Sequence, residues 1–206
     1  MPKLVFYFDF LSPFSFFAWK RHQKLLSGKV DITYAPVLMG KLFSQHNFPG
    51  PGEIPAKRNY ELKKCFRYAT KQNIEFSPPK TFPFNPLAIN RCATRHASQK
   101  QQVDIIELLF NLVWSKGKIL DNPDIITKEL LTNNLNPDIV ERSFERPAKL
   151  ELKKNINDAL AAGAFGVPSF YLDQELFWGN DSLEDLINYL DGNDNWDKAL
   201  YNQLLK

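Results

Sequence analysis

The chain is poor in the residues from which metal and disulfide sites are made. Its 206 residues include 2 cysteines and 3 histidines. Cys65 and Cys92 form no CxxC or CxxxC pair, which excludes a zinc ribbon, a disulfide scaffold and a dithiol redox motif. His22, His46 and His96 are scattered without HExxH or HxH spacing, so no metal is expected. Long apolar runs are missing as well. No stretch approaches the roughly 20 residues of a membrane span. The short apolar run after Met1-Pro2-Lys3 carries Asp9 and is too short for a signal peptide. A soluble, cytoplasmic protein with no membrane partner is the expectation. One-sided charge is also lacking: 26 basic against 23 acidic residues leave +3. That is too little, and too dispersed, for a nucleic-acid binder.

What is present is ordinary globular composition with an aromatic excess, 17 of the residues being Phe. A chain of this length buries about 70% of its unfolded surface, so its core needs neither metal nor disulfide. Lys3–Phe10 reads as a buried strand, Phe16–Leu26 as a helix with Pro13 near its first turn, and Lys29–Pro36 as a second strand. A βαβ unit of this size implies parallel strands. His46–Pro55 reads as a loop and Ser77–Pro86, with four prolines, as extended chain. Between and after them the periodicity predicts helices at Lys57–Gln72, Leu87–Gln99, Val103–Lys116, Asp124–Leu131, Pro137–Ser143 and Leu150–Ala162. Gly163 closes the last of these. Strand pattern returns at Ser169–Leu172 and Leu176–Trp178 as a hairpin across Asp173-Gln174-Glu175. A final helix spans Leu183–Leu190, and Asn195–Lys206 reads as a short amphipathic tail. The order βαβ, helical insert, ββα is that of a thioredoxin-like α/β domain with an all-helical insertion. Residues 1–45 and 163–206 form the first unit and 46–162 the insert.

Three places carry candidate chemistry. Ser12-Pro13-Phe14-Ser15 stands where the first strand gives way to the first helix, whose free amides and dipole favour an anion. Thioredoxin-type enzymes place a CxxC there so that the helix end stabilises a thiolate. With serine at both positions this chain runs no disulfide exchange of its own, but Ser12 could donate a hydrogen bond to a ligand thiolate. The same residues also read as a plain N-cap. Gly166-Val167-Pro168 precedes the third strand. A cis bond at Pro168 would turn the Val167 amide groups outward toward an extended peptide, whereas a trans proline would merely open a strand. In Trp178-Gly179-Asn180-Asp181-Ser182, Asp181 and Ser182 read as a helix cap. The free amides there would equally take a ligand carboxylate and Asp181 a ligand ammonium. A thiol peptide bearing both groups is glutathione.

Phe8-Asp9-Phe10-Leu11-Ser12-Pro13-Phe14-Ser15, Phe165-Gly166-Val167-Pro168 and Phe177-Trp178-Gly179-Asn180-Asp181 together resemble the 2-hydroxychromene-2-carboxylate isomerases. These stand with the kappa-class glutathione transferases in the DsbA-like branch of the thioredoxin superfamily. The resemblance spans nearly the whole chain and implies a DsbA-like architecture with glutathione as cofactor. It implies Ser12 as the catalytic residue contacting the glutathione sulfur. Val167 and Pro168 would pair with the glutathione backbone, and Gly179, Asn180 and Asp181 would hold the γ-glutamyl group. Asn47, Lys57 and Asn85 would face an aromatic substrate. The family usually has Arg after the aspartate; here it is Ser182, which leaves Lys57, Lys41 or Arg58 to pair with a substrate carboxylate. The implied reaction is a cis-trans isomerisation by reversible addition of the glutathione thiolate, within aromatic compound catabolism. A kappa-like transferase or peroxidase and a non-catalytic peptide-binding module are the alternatives. A homodimer is a further expectation.

Overall fold

The computed structural model describes residues 1–205; Lys206, the end of the expected tail, lies outside them. The chain opens with β1 (Lys3–Phe8), α1 (Pro13–Leu26) and β2 (Asp31–Pro36). β1 pairs parallel with β2, Lys3 opposite Asp31 and Phe8 opposite Pro36. A short helix, α2 (Met39–Gln45), follows and was not expected. Its start has no side-chain cap and Leu42 is its buried residue, so little in the sequence announces it. A single 3-10 turn at Pro51–Glu53 interrupts the Pro/Gly-rich loop.

The inserted helices are α3 (Pro55–Gln72), α4 (Leu87–Cys92), α5 (Arg95–Ser98), α6 (Gln102–Phe110), α7 (Pro123–Thr132), α8 (Asp138–Ser143) and α9 (Arg146–Ala161). α3 starts on Pro55, where the missing N–H costs nothing. The helix expected over Leu87–Gln99 is divided. Thr94 turns extended and its hydroxyl accepts from the Ala97 amide, so a new N-cap begins α5. The helix expected to reach Lys116 changes at Asn111 into a π turn. α9 starts on Arg146-Pro147, earlier than expected, and Gly163 at φ +83 follows its end.

The chain then returns to the sheet. β3 (Ser169–Leu172) runs antiparallel to β1, Val5 opposite Tyr171, and β4 (Glu175–Trp178) lies beyond it. The sheet order is β2-β1-β3-β4. Asp173 and Gln174, both at positive φ, close the hairpin with two residues rather than three. Such turns match the twist of the paired strands. α10 (Leu183–Leu190) and α11 (Lys198–Leu204) complete the chain. The fold is thioredoxin-like, as the order of elements implied. β1 lies in the middle of the sheet, which is why its sequence reads as a continuous apolar run.

The aromatic excess explains how helices and sheet share one core. Phe6 and Phe8 on β1, and Phe10 beyond it, meet Phe170 of β3 and Phe110 of α6, with ring centroids 4.5 Å apart for Phe6–Phe170 and for Phe10–Phe110. Trp19 and Trp114 are also buried in this cluster. Large rings bridge the distance between layers, and each contributes about 0.5–1.5 kcal/mol per well-formed pair beyond its buried area.

Candidate functional site

Asp9 is where β1 stops and the site begins. Its carboxylate is buried and receives three hydrogen bonds: from the Leu11 amide at 3.0 Å, the Met39 amide at 2.8 Å and the Asn90 side chain at 2.8 Å. Burial pushes the carboxyl above its ordinary value, and these three donors pull in the opposite direction. One side chain therefore fastens the Ser12 loop, the start of α2 and the helical insert together. The Asp9 carbonyl also accepts from the Ser12 amide at 3.0 Å.

Ser12 is the N-cap of α1, its Oγ accepting from the Ser15 amide at 3.2 Å. The same hydroxyl points its proton at the Val167 carbonyl, 3.4 Å away. The bland reading of the motif is thus correct, and the hydroxyl also faces the second segment. At 3.4 Å the bond is weak, so a better acceptor could capture the proton. The Val167–Pro168 bond is cis. The Pro168 carbonyl accepts from the Gly179 amide at 2.9 Å, which ties the third segment to the second.

The turn into α10 has tight sterics. Gly179 sits at φ +100, and a Cβ there would stand 2.4 Å from Asp181 Oδ1. A Cβ on Gly166 would stand 2.7 Å from Trp178 Nε1, so the indole lies over the cis-proline loop. Asn180 is buried, and its carbonyl accepts from Arg21 Nη1 at 2.9 Å. Its side-chain oxygen faces Arg21 and Tyr68 at 3.4 and 3.5 Å. The expected side-chain cap of α10 does not form: Ser182 Oγ donates to the Gly179 carbonyl at 2.8 Å instead. The first amides of α10 are left without a side-chain partner.

These segments open on one cavity of about 1100 Å³. Ser12, Val167, Pro168, Gly179, Asn180 and Asp181 all line it, and so do Lys57 and Arg58. Asn47, Asn85 and Lys41 are exposed and stand outside its lining. Asn85 is occupied in another way, its side chain accepting from the Leu87 amide at 3.0 Å at the start of α4. Cys65 also lines the cavity, but burial pushes its thiol up to about 12, and that of Cys92 up to about 11. Neither supplies a thiolate near neutral pH. Sequence reasoning named Asp9 only as part of a motif, without a role, and passed over Arg21, Asn90, Lys64 and Tyr68. The signal for Asp9 is an acid directly after an apolar strand; the others gave none. Among the described residues no group of three or more His, Cys, Asp or Glu is placed to hold a metal, and no helix is long and apolar enough to cross a membrane.

Residues 3–191 match the family model of the DSBA-like thioredoxin domain. The chain belongs to that family. Among relatives of this DsbA-like chain, the 2-hydroxychromene-2-carboxylate isomerase of Sphingobium xenophagum is 27% identical over 191 residues, covering 90% of this chain and 96% of the relative. Glutathione S-transferase kappa 1 of Caenorhabditis elegans is 25% identical over 209 residues, covering 92% and 91%. The solved structure of a 2-hydroxychromene-2-carboxylate isomerase superposes with a TM-score of 0.80 at 25% identity, covering 92% of this chain and 95% of that one.

Proposed function

We propose that the protein is a glutathione-dependent isomerase of the 2-hydroxychromene-2-carboxylate isomerase type. The observation that carries this reading is that Ser12, the Val167–Pro168 loop and the Gly179–Asp181 turn open on one cavity whose own cysteine burial keeps in the thiol form near neutral pH. The residues fit the tripeptide. Gly179 leaves room for Asp181 to fold back over the turn, and the uncapped start of α10 faces no side-chain competitor. Asp181 and those amides would hold the γ-glutamyl ammonium and carboxylate. The Val167 backbone would pair with the cysteinyl unit.

Bound there, glutathione would supply a thiolate able to add reversibly to a conjugated double bond. Ser12 would turn its hydroxyl proton from the Val167 carbonyl to the sulfur, and the α1 amides would add their partial positive charge. Phe14 and Trp178 supply apolar surface for an aromatic ring. The relatives named as isomerases support this choice of reaction.

Calorimetric titration with glutathione tests the binding, and turnover of 2-hydroxychromene-2-carboxylate tests the reaction. Ser12→Ala should lower turnover about 10²-fold; full activity in that variant would refute the role. The kappa-class relative favours a second reading, a transferase. Free thiol counted before and after turnover separates the two, since an isomerase leaves glutathione unconsumed. A peptide-binding module would show no glutathione affinity and would tolerate Asp181→Ala.

A further inference from the structure

One wall of the cavity is made by α3, which presents Lys57, Glu61, Lys64, Cys65 and Tyr68. This spacing puts them along one face. The cations lining the cavity are all uncommitted: among the described residues none of Lys57, Arg58, Lys64 and Lys80 is in an ion pair. Two of them rest on aromatic rings. Lys57 Nζ lies 5.2 Å from the centre of the Phe48 ring, and Lys64 Nζ lies 5.4 Å from that of Phe14. Both distances are within the reach of a cation–π contact.

The two lysines are not equivalent. Phe14 belongs to the Ser12-Pro13-Phe14-Ser15 segment, so Lys64 stands over the ring next to the reacting position. Phe48 belongs to the loop after α2. Seven residues of helix separate the lysines by about 10 Å along its axis, and each rests on a different ring. Glu61, one turn before Lys64, is the acid of α3 that faces the same cavity, and it does not pair with the lysine.

We propose that Lys64 is the specificity-determining residue of this cavity. It selects electrophiles whose conjugated aromatic system ends in a carboxylate, the ring lying along Phe14 and the acid group on the ammonium. This holds the double bond in front of Ser12. The inference rests on the isomerase reading for its chemistry, but its test does not.

The test titrates trans-cinnamate and its neutral analogue trans-cinnamamide by calorimetry, with and without saturating glutathione. Wild type, Lys64→Met and Lys64→Arg are compared. Wild type should bind the acid about tenfold more tightly than the amide. Lys64→Met should erase that preference while leaving amide affinity and glutathione affinity unchanged, and Lys64→Arg should keep it. A wild type without the preference, or a Lys64→Met variant that retains it, overturns the proposal. So does an effect of Lys64→Met confined to the thiol pKa of bound glutathione. Failure of glutathione to bind would sink the isomerase reading, and the titration without it would still decide the role of Lys64.

Discussion

The floor and the wall of the cavity are built on opposite principles. The floor, around Asp9 and the start of α1, is built on the buried Asp9 carboxylate and its three donors within the protein, with Ser15 Oγ and Asn90 Oδ1 buried beside them without a partner. The wall, on α3 and the loop after α2, consists of exposed cations and rings with no acidic partner. Three donors on one buried acceptor fix geometry, because any displacement strands a buried donor. An open set of charges fixes nothing until a ligand arrives, so it is free to choose the ligand. Changes in the floor should therefore cost stability, and changes in the wall should alter affinity.

The largest expected effect is in the floor. Asp9→Ala removes the acceptor of the Leu11 and Met39 amides and of the Asn90 side chain. Each stranded donor costs about 1–3 kcal/mol, so urea denaturation should show a loss of at least 3 kcal/mol. A loss below 1 kcal/mol would mean that the three segments hold their places without the carboxylate. His22 gives the next effect. It lies on the buried face of α1, with Nδ1 against the Trp19 carbonyl at 2.8 Å and Nε2 against Tyr34 Oη at 3.0 Å. Burial lowers its pKa from 6.5 to about 4, against hydrogen bonds to the Trp19 and Ala18 backbone and the field of Glu107, which raise it. The folded ring releases its proton more easily than the unfolded one. Its contribution is thus complete above pH 6.5 and is lost as pH falls through 4, an interval corresponding to about 3 kcal/mol. Unfolding free energies measured across that interval should fall steeply in wild type and more gently in His22→Gln. Equal slopes would show that the ring protonates without penalty.

Between floor and wall stands Gly179. Replacing it by Ala forces an L residue to φ +100 and drives a Cβ into Asp181 Oδ1. The strain should cost about 1–3 kcal/mol, and displacement of the carboxylate should weaken glutathione binding about tenfold. Calorimetry and denaturation on the same sample separate these two effects. Unchanged affinity would remove Asp181 from the ligand site.

How far the sequence could be read follows the same division. The strands, the burial of β1 and the loop before β3 were legible, because apolar runs, Pro and Gly act through local backbone geometry. Ser12, Val167, Pro168 and the Gly179–Asp181 turn share one cavity because each lies at the end of a sheet strand, where topology brings them together. Asn47 and Asn85 did not follow, since they belong to loops whose course depends on tertiary packing. Asp9 was visible as an acid after an apolar strand, yet its partners come from Met39 and from Asn90 on α4, which no local pattern could supply. Lys64 was hidden for another reason. An exposed lysine on a helix reads as a solvated residue, and only the placement of α3 against Phe14 distinguishes it.

The smallest effect sharpens the boundary of the wall. Asn85→Ala should cost about 0.5–1 kcal/mol, the usual loss when a side-chain acceptor at a helix start is removed, because its bond to the Leu87 amide is exposed. Its kcat/KM for 2-hydroxychromene-2-carboxylate should stay within twofold of wild type. Lys57→Met should do the reverse, leaving stability unchanged and raising KM, since Lys57 lines the cavity and rests on the Phe48 ring. If the asparagine variant shifted KM and the lysine variant did not, the substrate would reach toward Asn85, beyond the lining described for the cavity, and the wall would have to be redrawn away from α3.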